Sequence, residues 1–303
     1  MSLKKLWYKL FNDKKYKELK YSERDKSQLY KFKENLEKKI ILIKEKIKNQ
    51  KIINLLHSGH AADIINVLPV IKKLSQDHEC NLYININKPI DFYFKHPAGN
   101  YYINDKIFQN LLPLLKKQKY INKVEKFTHQ AIDINFDIFR ELPISNIFDN
   151  VTYASVITGI YPNYNESFLE VDEHENLKEK IIIQRTFRYR NNFINYEFLN
   201  NYDNLFFVGT FDEFKDLKNI VKNLEFYECK DFLDMAKVVK SSKFVLANSS
   251  ITFPIAEGLN VPRLLESCPN YPAAQPHGKN AFNFYFQVHF EQTFKYLNNL
   301  NKS

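Results

Sequence analysis

The chain has 303 residues, 44% hydrophobic and 26% charged, which is enough to bury a core and is more naturally divided between two domains than held in one. No apolar run approaches the roughly 20 residues that span a bilayer, Met1-Ser-Leu-Lys-Lys-Leu-Trp7 lacks a signal peptide's apolar region, and Cys80, Cys229 and Cys268 are odd in number and far apart; these features predict a globular, cytoplasmic protein with reduced thiols. The net charge of +9 fits anionic partners (nucleotide phosphates, a membrane surface or nucleic acid), although six Gly beside abundant Lys, Asn, Ile, Phe and Tyr also reflect AT-rich codons and discount that argument.

Residues 1–50 form a Lys-dense extension without strand-like alternation and read as helix. Leu3, Leu6, Trp7, Leu10 and Phe11 share one face, with Lys4, Lys5, Lys9, Lys14 and Lys15 around the others. Such a basic amphipathic helix either lies in a membrane interface, giving peripheral membrane contact through residues 1–15, or docks on the protein's own body. Leu29, Phe32, Leu36, Ile40, Ile43 and Ile47 then recur three and four apart, the seam of a second helix that packs within the chain. Nucleic acid is not the expected partner, since the positive stretch lacks the interleaved aromatic platform that single strands need.

From Ile52 the pattern alternates as in βαβ units: strand 52–56, helix 63–75, strand 81–86, helix 104–117. Ile132-Asp-Ile-Asn-Phe-Asp-Ile-Phe139 alternates with period two, which predicts a strand with Asp133, Asn135 and Asp137 on one face, turned to a cleft or to solvent. The polar stretch Tyr161–Lys180 reads as an interdomain linker that permits closure. Beyond it the alternation resumes: strand 180–184, helix 194–201, strand 205–208, a helix 211–223 opened by the capping-box pattern Thr210-Phe-Asp-Glu213, strand 224–227, helix 231–240 capped by Asp231, strand 243–247, helix 252–259 and strand 262–266. The expected architecture is α/β, two Rossmann-like domains facing across a cleft: extension 1–50, first domain 51–165, second domain 166–288, and a C-terminal helix at 289–303 with reach to cross back to the first.

Two segments place polar groups at strand-to-helix edges, where open α/β sheets bind ligands. In Ile52-Ile-Asn-Leu-Leu-His-Ser-Gly-His-Ala-Ala-Asp-Ile-Ile-Asn-Val-Leu-Pro69, Asp63 opens a helix as either N-cap or general base, and His57, Ser58 and His60 sit in the loop before it. With Asp133, Asp137 and Arg140 they form the candidate acceptor wall. In Ile183-Gln-Arg-Thr-Phe-Arg-Tyr-Arg190, Arg185, Arg188, Arg190 and Thr186 suit phosphate oxygens. Asn248, Ser249 and Ser250 offer an amide, hydroxyls and helix amides to an anion, and Glu257 one turn deeper offers an acceptor to a ribose hydroxyl. Neither G-x-G-x-x-G nor a P-loop occurs, so a dinucleotide or NTPase site is disfavoured, and no D-x-D occurs to hold a diphosphate through a divalent cation. Neither a metal nor a cofactor is expected.

At these loops the chain resembles the heptosyltransferase-like glycosyltransferases of the GT-B fold, glycosyltransferase family 9. Ala62-Asp-Ile-Ile-Asn-Val-Leu-Pro69 is similar to that family's Gly-Asp-x-x-x-x-x-Pro signature, and the resemblance implies that Asp63 is the acceptor-activating base. Thr186–Arg190 resembles the donor-diphosphate stretch, Phe206-Phe-Val-Gly209 the strand and turn near the donor base, and Leu246–Pro262 the donor loop and helix. The departures are Ala62 for the signature Gly, and Ser249, Ser250, Ile251 and Pro254 where Asp-Thr/Ser-Gly and then His are usual. The implied function is metal-independent, inverting transfer from a nucleotide-sugar to a glycan or glycolipid acceptor; the alternative is a non-catalytic glycan- or nucleotide-binding module on the same scaffold.

Overall fold

In the computed structural model, which describes residues 3–91, 96–142, 149–174 and 177–300, the Lys-rich N-terminus is helical, as its spacing predicts. Helix α1 (Leu3–Phe11) turns at Asn12 into α2 (Asp13–Tyr30), where the Asn12 side chain accepts from the Lys15 N–H. A π-helical stretch, Lys31–Glu37, leads into α3 (Lys38–Asn49). The apolar seam is half used: Leu36 and Ile43 are buried with Ile40 and Ile47 packed beside them, while Leu29 and Phe32 stay in solvent. The helix held to the body is α3, where Lys46 donates to the Ile132 carbonyl and Lys39 pairs with Glu141.

Strands β1 (Ile52–His57), β2 (Glu79–Ile84), β3 (Lys123–Lys126) and β4 (Ile134–Asn135) form a parallel sheet in the order β3-β2-β1-β4. The helix expected at 63–75 is two helices, α4 (Ala61–Asn66) and α5 (Leu68–Leu74), since Pro69 in the first turn of α5 has no N–H with which to continue α4. Helix α6 (Asp105–Lys117) starts from an Asn104 cap and buries Phe108, Leu111, Leu114 and Leu115. The predicted strand 132–139 shrinks to β4, because the Asn135 side chain accepts the Asp137 N–H (2.9 Å) and coils Phe136–Glu141 into a 3-10 turn. Asp133, Asn135 and Asp137 therefore do not line one face. A short helix, α7 (Tyr153–Thr158), follows and ends at Gly159, whose φ of 71° is left-handed.

The second sheet, also parallel, runs β10-β9-β8-β5-β6-β7 and is built from β5 (Ile181–Gln184), β6 (Leu205–Phe207), β7 (Glu225–Phe226), β8 (Phe244–Ala247), β9 (Arg263–Glu266) and β10 (Ala281–Phe284). Around it lie α8 (Phe211–Lys218), opened by the Thr210/Glu213 capping box, α9 (Phe232–Ser241), capped by Asp231, α10 (Thr252–Leu259) and α11 (Gln287–Asn298). Residues Glu197–Asn201 make only a 3-10 turn where a helix was expected. Alternation along these short strands splits their apolar residues between two cores. Ile182, Val245 and Leu265 join a core continuous with the first sheet, whereas Ile181, Ile183, Phe244, Leu246 and Leu264 meet Phe290, Phe294 and Leu297 of α11. The C-terminal helix thus stays on the second lobe and does not cross back, because its aromatic face is consumed there.

The stretch 161–180, of which 175–176 lie outside the described residues, is not a loose linker. Phe168 and Leu169 are buried, both their N–H groups donate to the Gly258 carbonyl (2.8 Å each), and Tyr120 donates to the Phe168 carbonyl (2.7 Å). Gly258 is required there, since a Cβ would stand 2.6 Å from Leu169. With α6 packed on α9 and α4 on α10, the lobes share one apolar core, so this segment fastens them together and offers no hinge. Among the described residues no helix is long and apolar enough to cross a membrane.

Candidate active site

Loops that bind ligands in open parallel sheets gather where the strand order reverses. The reversals fall between β1 and β4 in the first sheet and between β5 and β8 in the second. Topology therefore selects the loops leaving these four strands, which are the loops that hold most of the candidate residues.

On the first lobe, β1 ends in His57, which is 0% exposed and ringed by Phe136, Phe139 and Tyr153. The Gly59 N–H donates to its Nδ1 (2.8 Å), so the neutral ring carries its proton on Nε2 and gives it to the Tyr153 hydroxyl, which donates in turn to the Asp63 carbonyl (3.1 Å). His57 was expected to touch acceptor; burial makes it instead an internal pin for the loop. Gly59 is required by the same crowding, since a Cβ would lie 2.5 Å from His57 Cε1 and under 3 Å from Asp63. Desolvation lowers the His57 pKa to about 4. The unfolded chain takes that proton near pH 6.5 and the folded one only near 4, so stability should fall by up to about 3 kcal/mol between these values as the solution is acidified. Melting temperatures followed from neutral to acid pH should show this limb in the parent and a flatter one in His57→Gln; equal slopes would exclude His57 as its source.

Ser58, also fully buried, donates from both its N–H (3.0 Å) and its hydroxyl to Asp137. Lys88 (3.1 Å) and Arg140 (2.6 Å) complete the shell of that carboxylate. Burial alone would raise the Asp137 pKa, but the Ser58 hydrogen bond and the Arg140 guanidinium hold it well below the ordinary range. Asp137 and Ser58 thus tie the β1 and β4 loops together across the reversal, and neither is available to an acceptor. Arg140 is pinned by Asp137 and sandwiched between Tyr102 and Phe139, with centroids 4.3 and 4.5 Å away. Asp133 lies apart, accepting from Asn54 N–H (2.9 Å) and paired with Lys46 (3.3 Å), so it fastens α3 to β1 and leaves the proposed wall.

Asp63 is half-buried at the third position of α4, and His60, not Asp63, is the N-cap. Its Oδ2 accepts the His60 N–H (3.0 Å), while Oδ1 has no hydrogen-bond partner among the described residues. His60 donates from Nδ1 to the Tyr102 carbonyl (2.8 Å), which leaves Nε2 unprotonated in the neutral ring. Its ring lies 5.0 Å from that of His96, a residue the sequence did not single out: His96 precedes Pro97 in an irregular segment with no periodicity to mark it. Burial lowers the pKa of both rings, and the next electrostatic influences on them include Asp63 at His60 and Arg188 at both.

The second lobe sorts its three arginines into different tasks. Arg185 is buried in a two-pronged pair with Glu266 (2.8 and 3.0 Å), which also accepts from Tyr196 (2.6 Å) and the Asn191 N–H (2.6 Å). Arg190 spends its guanidinium on the Thr186 and Arg185 carbonyls and on Asp216. Both were expected to hold phosphate, and both are structural. Of the three, only Arg188 is among the main charges acting on His60 and His96 of the first lobe. Its loop is laced by fully buried Asn248, whose Oδ1 accepts the Thr186 N–H (3.0 Å) and whose Nδ2 donates to the Thr186 and Arg188 carbonyls. Thr186 and Asn248 therefore shape the loop, and Tyr189 holds a left-handed φ of 54° in it.

Ser250 is buried and bonded to the Asn248 carbonyl, whereas Ser249 is half-buried and its hydroxyl has no partner among the described residues. Gly209 closes β6 at φ 137°, with Gln184 and Glu213 within 3.3 Å of where a Cβ would stand. Glu257 is not a ribose acceptor: it is 2% exposed, paired with buried Arg263, and accepts the His277 N–H with both oxygens. The groups that remain are Asp63, His60 and His96 on the first lobe and Arg188 and Ser249 on the second, with Arg188 among the charges acting on His60 and His96. Among the described residues no group of three His, Cys, Asp or Glu is placed to hold a metal ion.

No protein-family model matches the chain, and no curated protein matches it in sequence. Solved structures do match. Escherichia coli heptosyltransferase WaaC with ADP-2-deoxy-2-fluoro heptose aligns over 81% of this chain and 99% of its own, with TM-score 0.53 and 8% identity. The glycosyl transferase family 9 protein of Veillonella parvula aligns over 84% and 90%, with TM-score 0.54 and 10% identity. The E. coli ADP-heptose lipopolysaccharide heptosyltransferase II aligns over 82% and 98%, with TM-score 0.50 and 9% identity. The fold is GT-B. The two strand-order reversals of this GT-B chain carry the candidate groups on opposite lobes, with Asp63 on the first and Arg188 and Ser249 on the second.

Proposed function

We propose that this chain is a metal-independent, inverting glycosyltransferase that moves a sugar from a nucleotide-sugar bound at the second lobe to a glycan or glycolipid hydroxyl bound at the first. The observation that carries the reading is that the strongest charges acting on His60 come from opposite lobes: Asp63, one of whose oxygens has no partner among the described residues, and the guanidinium of Arg188. The acceptor hydroxyl gives its proton to Asp63 Oδ1 as its oxygen bonds to the anomeric carbon. The carbon's bond to the diphosphate breaks on the opposite face, and that electron pair leaves with the nucleoside diphosphate. Charge growing on the diphosphate is met by Arg188 and the Ser249 hydroxyl, since the amides that open α10 are spent on Gln184 and Ser250 and Pro254 has none. His60 acts by holding Asp63 Oδ2 through its backbone N–H, which leaves Oδ1 to take the proton. The structural neighbour WaaC is solved both with ADP and with ADP-2-deoxy-2-fluoro heptose, which makes ADP-sugars the first donors to test.

Arg188→Ala should weaken binding of a nucleoside diphosphate by about 10- to 100-fold, the range expected for a lost charge-assisted hydrogen bond. Calorimetric titration with ADP, UDP and GDP in EDTA reads this. An unchanged affinity in the variant would remove Arg188 from the donor site, and an EDTA-sensitive affinity in the parent would overturn metal independence.

A further inference from the structure

Neither charge nor exposed apolar surface is spread evenly over this protein. Residues 1–50 hold 16 Lys and Arg against 7 Asp and Glu, a net of +9 that equals the charge of the whole chain, so the rest, with 28 of each sign, is neutral. The same extension carries α1, none of whose residues is buried. Leu3, Leu6, Trp7, Leu10 and Phe11, one face of that helix, are 42–86% exposed, and Trp7 clusters with Tyr8 and Phe11 at 5.4 and 5.8 Å. Among the described residues α1 packs chiefly on α2, to which an ion pair of Lys5 with Glu23 ties it on the polar side, leaving the apolar face outward. Docking on the body, one of the two readings open from sequence, is therefore not what this face does.

We propose that α1 lies in the interfacial layer of an anionic lipid bilayer, with Leu3, Leu6, Trp7, Leu10 and Phe11 among the acyl chains and Lys4, Lys9, Lys14 and Lys15 at the headgroups. Each alternative occupant satisfies half of the surface. A nucleic acid meets the lysines and leaves five large apolar side chains in water. A second copy of the chain covers the apolar face and brings two lysine-rimmed helices against each other. A negatively charged membrane surface answers both, since apolar burial and attraction to acidic headgroups add on one helix. The extension also borders the acceptor side of the protein: Arg24, Lys31 and Asn35 line a cavity of about 570 Å³ whose other wall includes Arg140 and Glu141. This inference goes beyond the transfer reaction and does not depend on it.

The test is co-sedimentation of the full chain with vesicles of phosphatidylcholine alone and of phosphatidylcholine mixed with phosphatidylglycerol. The parent should bind the anionic vesicles and not the neutral ones, and binding should weaken as salt is raised. Trp7→Glu combined with Leu10→Glu should lower binding by about tenfold or more, with melting temperature and nucleoside diphosphate affinity unchanged, because both side chains are exposed and distant from the core. The proposal is overturned if the parent ignores anionic vesicles, if the double variant binds as the parent does, if an oligonucleotide competes the protein off the vesicles, or if the substitutions dissociate a dimer in solution. None of these outcomes touches the donor measurement, so the two readings fail separately.

Discussion

Replacing Asp63 with Asn should reduce glycosyl transfer by about 10²- to 10⁴-fold while melting temperature and donor affinity hold. The amide oxygen of Asn can still accept the His60 N–H, so the first turn of α4 keeps its cap, and what is lost is the oxygen that takes the proton. Asp63→Ala removes both and should cost about 1 kcal/mol of stability besides. The two other candidate carboxylates of this lobe, Asp137 and Asp133, cannot substitute. Asp137 is saturated by Ser58, Lys88 and Arg140, and Asp133 by Asn54 and Lys46. Transfer assays on a panel of nucleotide-sugars and acceptors, in parallel with donor titration, check this. Full turnover in Asp63→Asn would exclude Asp63 as the base, and binding without turnover in the parent would mark a non-catalytic module on a GT-B scaffold.

Glu266→Ala should destabilise the protein by about 3–5 kcal/mol, the loss expected when one member of a buried ion pair is removed. Glu266 is 0% exposed and receives Arg185, the Tyr196 hydroxyl and the Asn191 N–H, so its removal strands a buried guanidinium and two buried donors together. Equilibrium denaturation reads the loss, and a double-mutant cycle with Arg185→Met should recover part of it, because an apolar side chain leaves no charge without a partner. A change under about 0.5 kcal/mol in Glu266→Ala, the scale of an ordinary surface substitution, would show that the pair is solvated. Normal stability with lost donor affinity in Arg185→Lys would return Arg185 to the phosphate.

Strand-like runs such as Ile181-Ile-Ile183 and Phe244-Val-Leu-Ala247, separated by helical spacing, made the parallel α/β character and most elements legible, since a strand covered on both faces has to be apolar throughout. Local signals worked where their physics is local: the Thr210/Glu213 capping box and the Asp231 cap both form as read. They failed at 132–139, where a single Asn135 hydrogen bond to the backbone outweighed the period-two pattern. Polarity of the 161–180 stretch concealed Phe168 and Leu169, whose burial follows from α10 presenting Gly258 and not from neighbours in sequence.

By itself the sequence determined the secondary structure of two alternating units, the helical, basic character of residues 1–50, and the loops after β1, β5 and β8 as places for chemistry. Only the tertiary structure decided which groups in those loops are occupied. Arg185 meets Glu266 81 residues away and Ser58 meets Asp137 79 residues away, so the letters that suggested a phosphate clamp and an acceptor wall are mostly internal braces. Spacing along a chain fixes which side chains share a face, because the backbone period is local. Whether a charge on that face stands open or is already neutralised depends on strands and loops brought beside it from elsewhere, and no local period carries that information.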